Sequence, residues 1–584
     1  MSEGRVHRFR PAWPDILLAL GCAVASLWVY RSALGAYFSP DDLILLERAR
    51  GLAPQLTTVW RYLSGRAYFD LVSPWFGIEP SPYMVVNVLL HAACVALLYA
   101  FARRHGGRLA ATVAAGLFGT SRLFYSVVSQ VVGVGEMLAL ALALASALAL
   151  SAQGVWARRS ALPLFVAALL SKESVALVPL ALLLSPAVGK AWRERARRIA
   201  PLVAASVAMI GYVLLSGVRE TALGGRPYET AFGANLLRAG AHYASWSTDL
   251  VTLIPDYYGA TTTVPWIWAA LVLVVGAGLA WLARGRTRAP IVGWAWWLLA
   301  LLPVLPLQWQ RYLNYLYAPA AGLALALGGI TEWLLARERI TRPTAARPAK
   351  RSRRPERRPW PWRNTIAWAL AVLIVGAHAA RSDQLLQVRL GRRLPYMDIP
   401  LDPFVRKVEL ARRVATRIEE SLGGRHASIV FYIPNVGDNP FFANLLKSVL
   451  DDGRGLRAVC PTVDSVAFVS RWTPEYRDFE LIAGSVDGFV DNLGRGAESH
   501  LRLADKLVRF NFPREADEHL RAAAIAYPDD ARLALARATV VAQLGRSDEA
   551  AAECRRAIEL SSAGSLADSA RAMLRRLDAT AARD

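Results

Sequence analysis

Long uncharged apolar runs occupy most of the chain before residue 380 and limit the folds open to it. Several runs reach the ~20 residues that a helix needs to cross a bilayer. Of the 584 residues, 54% are hydrophobic, and they are concentrated in these runs rather than spread over amphipathic helices. The pattern predicts a polytopic α-helical membrane protein with a soluble C-terminal tail.

The net charge of +22 is concentrated in short basic stretches between the apolar runs. These stretches are Arg103 to Arg108, Arg158 with Arg159, Lys190 to Arg198, and Arg337 to Arg363. Cytoplasmic loops of membrane proteins carry such charge, so the distribution argues against a nucleic-acid partner. We place the N-terminus in the cytoplasm and interpret the first apolar run as an uncleaved helix. If successive helices then cross an inner or plasma membrane in opposite directions, the chain has about 11 crossings. Everything after Arg381 then lies outside the cytoplasm.

The apolar stretch between Arg159 and Lys190 carries a charged pair, Lys172–Glu173, in its middle. Both ends are basic, so both should face the cytoplasm, yet the run is too short for two full crossings. Two short helices meeting at Lys172–Glu173 satisfy this parity. The alternative is one ordinary helix, which leaves charges in lipid.

The tail divides by pattern. Residues 1–380 form the predicted membrane domain and 381–496 an extracytoplasmic α/β unit, with strands at "ASIVFYIP", "LRAVCP" and "VDSVAFVSRW". Residues 497–584 are alanine-rich helices in which Glu515–Ala516 recurs as Glu549–Ala550. That spacing is the tetratricopeptide period, whose arrays hold peptides or partner proteins. A plain helical hairpin is the alternative.

Short motifs follow one another in order along residues 10–335. They are Asp41–Asp42; Asn87 and His91; Phe118; Gly133 and Glu136; Ser171, Lys172, Glu173 and Pro179; "TLIPDYYG"; and Arg311 with Tyr312. In this order, with repeats in the tail, the chain resembles the GT-C membrane glycosyltransferases. It is most similar to the transmembrane O-mannosyltransferases that carry luminal tetratricopeptide repeats.

The chain also departs from that family. The segment that usually reads His-Pro-x-His-x-Glu is "SRLFYS" here, Ser121 to Ser126. Gln310 replaces a glutamate before the arginine, and Val134 stands where an arginine is expected beside Gly133. The donor or acceptor side is therefore altered, in a divergent transferase or an inactive relative.

The resemblance implies transfer of a sugar from a polyprenyl-phosphate carrier to a hydroxyl, as in protein O-glycosylation. Such a reaction needs a carboxylate base, cations for the departing phosphate and an apolar groove. Asp41 is the candidate base with Asp42 beside it, although Ser39-Pro40-Asp41 is also a good helix start where an aspartate caps free N–H groups. The phosphate candidates are Lys172, Arg311 and Arg122, and the supporting candidates are Glu136, Glu173, Tyr312 and His91.

Each cation also has a structural interpretation. These interpretations are an ion pair of Lys172 with Glu173 or a nearby carboxylate, interfacial snorkelling of Arg311 at a helix end, and packing of His91 between helices. No metal and no cofactor are expected. The expected partners are the lipid-linked sugar, membrane lipid and a protein or peptide acceptor.

Two other functions stay open. An O-antigen-type ligase or polymerase would use the outer loop with Arg219, Arg226, Arg238 and His242. A non-enzymatic scaffold would recruit partners through its repeats. Cys22 and Cys94 are interpreted as packing residues, and a disulfide between Cys460 and Cys554 is undecided.

Overall fold

A computed structural model describes residues 12–55, 57–216, 229–251, 266–335, 362–395, 398–433, 440–484, 490–561 and 563–581. The chain forms two compact units. Unit 1 comprises Met1–Ala36 and Gln55–Arg392, and unit 2 comprises Tyr37–Pro54 and Arg393–Asp584. The segment that carries Asp41 and Asp42 therefore folds with the C-terminal part of the chain, although it lies between two segments of unit 1.

The regular secondary structure of the described residues of unit 1 is helical, apart from an isolated β-bridge between Thr230 and Leu307. Its helices are α1 (Trp13–Val29), α3 (Tyr68–Phe76), α4 (Pro80–His105), α5 (Arg108–Thr120), α6 (Tyr125–Val128), α7 (Val134–Leu150), α8 (Val155–Arg159), α9 (Ala161–Ser171), α10 (Val178–Ala181), α11 (Trp192–Leu215), α12 (Ala234–Ser247), α13 (Trp266–Ala283), α14 (Ala289–Leu301), α15 (Tyr317–Leu335) and α16 (Trp362–Gly391). The predicted domain boundary at residue 380 falls inside α16, which continues to Gly391.

Five helices in the described residues are long and apolar enough to cross a membrane: Pro80–His105, Val131–Leu150, Trp192–Leu215, Leu313–Leu335 and Asn364–Gly391. Arg108–Thr120 and Arg122–Val128, bent by 41° relative to each other, would make a sixth. The predicted count of about 11 is too high by this criterion. Other apolar runs form shorter helices, which are Trp13–Val29, Glu173–Leu184 and Ala289–Leu301.

Small residues let the helices of unit 1 pack backbone against backbone. A Cβ atom added to Gly293 in α14 would lie 2.4 Å from the carbonyl oxygen of Gly322 in α15. One added to Gly328 would lie 2.3 Å from the carbonyl oxygen of Ala110 in α5. Such close approach is typical of helices that pack in lipid, where dispersion rather than the hydrophobic effect joins them.

Unit 1 has two chemically different ends. At the basic end, Arg103 and Arg108 bind Asp15 at 3.0 and 3.2 Å, and Arg104 donates to Ser151. Helix α5 begins at this end and helix α7 ends here, beside Arg104. Arg122 after α5, Glu136 at the start of α7 and its partner Lys172 therefore lie at the opposite end. Exposed tryptophans occur at both ends, as they do at membrane interfaces. They are Trp13, Trp156, Trp192 and Trp281 at the basic end, and Trp28, Trp75 and Trp309 at the other.

Unit 2 contains one small sheet. Its strands are β1 (Ala427–Tyr432), β2 (Val463–Val469), β3 (Glu480–Gly484) and β4 (Val490–Gly494), in the order β2-β1-β3-β4. β1 pairs parallel with β2 and β3, and β4 is antiparallel. The helices are α2 (Pro40–Ala49), α17 (Pro403–Leu422), α18 (Pro440–Val449), α19 (Arg454–Val459), α20 (Ala497–Arg509), α21 (Pro513–Ala526), α22 (Ala531–Gln543), α23 (Ser547–Ser561) and α24 (Ser565–Ala581).

One strand prediction in unit 2 is wrong. The segment "LRAVCP" belongs largely to helix α19, which begins after Gly453 at a φ of 88°. Gly455 in this helix packs against α2, since an added Cβ atom would lie 2.8 Å from Cδ1 of Leu43. A short apolar run fits a strand or a buried helix equally well, and the tertiary contact with α2 favours the helix.

Two buried histidines lie where the C-terminal helices meet the sheet. The rings of His500 in α20 and His519 in α21 share a hydrogen bond of 2.9 Å between Nδ1 and Nε2. Trp472 packs on both rings, and Tyr432 at the end of β1 packs on His519. Burial lowers the pKa of His500 to about 4. Burial, with the charge of His500, lowers the pKa of His519 well below its usual value.

The pair predicts a loss of stability in mild acid. Histidines in the unfolded chain take up protons below pH ~6.5, whereas the folded pair resists them, so each histidine removes up to ~1.4 kcal/mol per pH unit below that value. As the pH is lowered from 6.5 to 4, we expect the midpoint of unfolding of the full chain to decrease. The decrease should be less steep in His519→Phe. His426→Phe, at a side chain 68% exposed, is the control. Equal slopes for wild type and His519→Phe would contradict the prediction.

Candidate functional site

The apolar stretch between Arg159 and Lys190 is not one continuous helix, because its helix is interrupted at Lys172. The sequence predicts this interruption from the basic residues at both ends of the stretch. Helix α9 ends at Ser171, and Lys172 is extended, with φ −161° and ψ 141°. Its Nζ lies 3.3 Å from Oε1 of Glu136, which also accepts a hydrogen bond from Ser174. The Lys172 charge is therefore compensated by a buried carboxylate, in agreement with the structural interpretation of this residue.

Glu173 is bound by two residues for which the sequence gives no signal. The Arg61 guanidinium donates to both of its carboxylate oxygens at 3.1 and 2.6 Å, and the Trp60 indole donates at 3.1 Å. Arg61 has a φ of 54°, which is unusual for a residue with a side chain. These contacts hold the break at Lys172–Glu173 in place.

Arg122 forms a buried bidentate ion pair with Asp249. Its Nε and Nη2 donate to the two carboxylate oxygens at 2.9 and 2.8 Å, and the side chains are 7% and 1% exposed. A fork of this kind uses the planar geometry of both groups and neutralises both charges. Arg122 is thus engaged by a carboxylate that sequence reasoning did not identify.

Arg311 is the remaining phosphate candidate, and its surroundings differ. Its Nη2 donates to Oδ1 of Asn235 at 2.9 Å, while its Nε is buried with no hydrogen-bond partner among the described residues. It lines a cavity of about 520 Å³. The other lining residues are Ala231, Ala234, Asn235, Arg238, Gln308 and Trp309.

The two arginines of this cavity differ from Lys172 and Arg122 in their pairing. Neither Arg238 nor Arg311 forms an ion pair with any carboxylate in the part of the chain that the structure describes. Their field reaches His242, whose pKa is lowered by burial and then by the charges of Arg311 and Arg238. A concave site with two unpaired guanidinium groups is suited to an anion, and the planar forks match phosphate oxygens.

Apolar surface adjoins the cavity along the same two segments. Trp309 and Tyr312 are 64% and 53% exposed, and Phe232 and Leu237 are each 73% exposed. The site therefore suits an amphiphilic ligand, with its anionic head between the two arginines and its hydrocarbon chain on these apolar side chains. We name the group formed by Asn235, Arg238, Gln308, Trp309 and Arg311 the arginine pocket.

The sequence contains one signal for this pocket. Asn235, Arg238 and His242 are spaced as i, i+3 and i+7, which places them on one face of α12. Asp249 and Arg61 belong to no comparable pattern.

His91 and Asn87 are packing residues. The His91 ring contacts Tyr317 Oη at 2.8 Å and the Gly119 carbonyl at 3.1 Å, and it is surrounded by aromatic rings. Asn87 donates to the carbonyl oxygens of Val128 and Gln130. Both side chains are buried among helices, where such hydrogen bonds hold membrane helices together.

The aspartate pair occupies the first turn of α2 in unit 2, with its two members in different roles. Asp42 accepts a hydrogen bond from the Ser39 backbone N–H at 2.8 Å, and the Ser39 side chain accepts from the Asp42 N–H, which forms a capping box. Asp42, not Asp41, is therefore the fully buried capping residue. Asp41 is exposed.

Asp41 has a different acidic neighbour from the one expected. Burial raises the pKa of Asp451, and the charges of Asp452 and Asp41 add to this rise, while Arg454 opposes it. The charge of Asp41 thus acts on the carboxylate of Asp451, which lies in the turn before α19. Asp451 and Asp452 both have positive φ, at 47° and 55°.

The structure also bears on the cysteines and on metal binding. All four cysteines are free and buried, so Cys460 and Cys554 form no disulfide. The described residues contain no cluster of three His, Cys, Asp or Glu side chains placed to hold a metal ion. The motif "TLIPDYYG", Arg219, Arg226 and most of the basic block Arg337 to Arg363 lie outside the described residues.

A scan against models of known protein families finds no match, and a comparison with curated proteins finds no significant relative.

Proposed function

We propose that the protein is an integral membrane glycosyltransferase that moves a sugar from a polyprenyl-phosphate carrier to a hydroxyl group on the extracytoplasmic face. The observation that carries the proposal is the arginine pocket with its apolar margin. The guanidinium groups of Arg238 and Arg311, which have no carboxylate partner among the described residues, hold the phosphate. Trp309 with its apolar neighbours contacts the hydrocarbon chain. The order of motifs that resembles the GT-C transferases supports the same reaction.

The chemistry assigns separate tasks to the groups. The acceptor oxygen forms a bond to the anomeric carbon of the sugar, and the bond from that carbon to the phosphate oxygen breaks. The electron pair stays on the carrier phosphate, where Arg311 and Arg238 offset the growing negative charge. The proton of the acceptor hydroxyl goes to a carboxylate within reach of it. The resemblance to the GT-C transferases proposes Asp41 for this task, and the capping box of Asp42 leaves Asp41 exposed.

The C-terminal helices are proposed as tetratricopeptide-type repeats that bind a protein or peptide acceptor. The starts of α20, α22 and α24 at residues 497, 531 and 565 recur at the 34-residue period, as do those of α21 and α23 at 513 and 547. The turns support this reading, since Asn511 and Gly545 occupy equivalent positions and both have positive φ, at 66° and 76°. Each helix packs on the next one in sequence.

One observation favours a second candidate function. Arg238 lines the arginine pocket and its charge affects His242, and both residues belong to the loop that an O-antigen-type ligase or polymerase would use. Such an enzyme also handles a lipid-linked phosphate, so the pocket alone does not separate the two. The roles of Asp41 and of the acceptor do.

Substitution of the pocket arginines tests the proposal. Arg311→Leu and Arg238→Leu should each lower sugar transfer by about 100-fold, because a lost charge-assisted contact to the leaving group typically costs ~10²–10³ in rate. Transfer is measured with membranes, a radiolabelled polyprenyl-phosphate sugar and secreted acceptor proteins. Glycans on envelope and secreted proteins are followed in parallel by mass spectrometry. Arg66→Leu, at an exposed arginine of unit 1, is the matched control.

Asp41→Asn separates the outcomes. Under the proposed function it lowers transfer as strongly as Arg311→Leu, whereas full transfer with Asp41→Asn and loss with Arg238→Leu indicates the ligase-type reaction. Unchanged glycans in every variant and in cells lacking the protein would rule out a transferase and leave the scaffold.

A further inference from the structure

Helix α3 has two apolar faces, of which only one is packed. On the inner face Phe69 is 1% exposed, and Phe69 and Phe76 contact the ring of Tyr83 in α4. On the outer face Leu71 and Trp75, one turn apart, are 70% and 83% exposed. Exposed apolar groups of this size, next to each other on one helix, indicate a surface that something apolar covers.

The position of α3 is set by the membrane-crossing candidate that follows it. α3 ends at Phe76 and α4 begins at Pro80, so the three connecting residues reach ~10 Å at most. Tyr83 also donates a hydrogen bond to the carbonyl of Gly77 at 3.1 Å, which fixes the turn against the first turns of α4. A helix held at the end of a crossing lies at the level where hydrocarbon gives way to water.

The side chains around the outer face are ordered like those of an interface. The Arg66–Asp70 ion pair of 3.4 Å, with both side chains more than one-third exposed, lies beside Leu71. Trp28 and Trp309 are also exposed at this end of unit 1, as an aromatic belt requires. Tryptophan prefers this zone because its ring is amphipathic.

We propose that α3 lies in the interfacial layer of the bilayer, with Leu71 and Trp75 inserted toward the acyl chains and the Arg66–Asp70 pair at the headgroups. A protein partner fits the patch less well, since stable protein interfaces bury ~1,000 Å² or more and the outer face offers essentially two side chains. Interfacial insertion is local and needs no such area. The proposal does not depend on a transferase activity.

Single-cysteine labelling tests this placement. The four native cysteines are buried, at 4% exposure or less, so a cysteine introduced at Leu71 or Trp75 reacts selectively in the full chain. Leu71→Cys, Trp75→Cys and the control Asp70→Cys are labelled with the fluorophore NBD and placed in lipid nanodiscs. Their emission is quenched with iodide in water, or with lipids that carry a spin label near the headgroup or near the chain end.

The expected result is a contrast between neighbouring positions. Labels at 71 and 75 are quenched at least threefold more by the shallow spin label than by the deep one, and at least threefold less by iodide than the label at 70. Iodide quenching equal to that at 70 would show a water-exposed helix and overturn the proposal. Dominant quenching by the deep label, or shielding from both lipid and water, overturns it as well, in favour of a helix inside the core or a protein contact.

Discussion

Replacing Arg122 by methionine lowers the free energy of unfolding of unit 1 by about 3–5 kcal/mol, the usual effect of removing one partner of a buried ion pair. The reason is the carboxylate left behind. Asp249 is 1% exposed, and Arg122 supplies its bidentate pair of hydrogen bonds. Without them a charge stays buried, or a proton must be taken up at a cost. The measurement is denaturant unfolding of the purified protein in detergent, followed by tryptophan fluorescence.

Two further variants separate the ion pair from simple loss of packing. The double variant Arg122→Met with Asp249→Leu should recover most of the lost stability, because apolar replacement of both partners is often neutral. Arg66→Met removes one partner of the exposed Arg66–Asp70 pair and should cost about 1 kcal/mol or less. A double variant as unstable as Arg122→Met would show that packing, not the orphaned charge, is responsible.

Arg537→Met has an effect of the same size in unit 2, about 3–5 kcal/mol of unfolding free energy. Arg537 is 8% exposed and donates to Asp517 at 2.8 Å and to Glu549 and Glu553. It joins α22 to α21 and α23 through these contacts. Its removal takes an arginine from all three carboxylates at once, while Asp517 and Glu549 keep Arg546. The same unfolding experiment on the full chain measures the loss.

The pH dependence of Arg537→Met follows from Asp517. Burial opposes ionisation of this residue, but hydrogen bonds from Arg546 and Arg537 and nearby arginine charges hold its pKa below the usual value. The contribution is therefore present above the unfolded pKa of ~3.9 and is lost as pH falls through the folded pKa. The deficit of Arg537→Met should be full at pH 7 and smaller near pH 3.

Arg532→Met is the matched control on the same helix. Arg532 is 49% exposed and pairs with Asp530 and Glu498 at 2.7 and 3.1 Å. Exposed pairs of this kind contribute ~0–1 kcal/mol, so the variant should unfold nearly as the wild type does. A control as damaging as Arg537→Met would mean that helix α22 tolerates no substitution and would remove the case for the buried network.

The candidate site was only partly accessible to sequence reasoning. Among Lys172, Arg122 and Arg311, the sequence offers no basis for ranking, since each stands near the end of an apolar run. The fold ranks them by pairing the first two with carboxylates and leaving Arg311 in a cavity with Arg238. Arg122 and its partner are 127 positions apart, a separation at which no local pattern exists.

The sequence by itself determined the features that depend on local composition. Apolar runs indicated membrane helices, the charges at Lys172–Glu173 indicated a break because charge is costly in lipid, and the β-branched run at "ASIVFYIP" indicated a strand. These three features follow from the residue types within each segment, which determine whether that segment is stable in lipid or in a buried strand.

Tertiary structure alone decided which charges are paired and with which unit the Asp41–Asp42 segment folds. Helix α2, which follows a helix of unit 1 directly in sequence, packs on α19 in unit 2 because Leu43 fits against Gly455. Its capping box takes up Asp42 and leaves Asp41 exposed. Ion pairs and packed contacts join residues far apart in the chain, so their free energies appear only after the chain has folded.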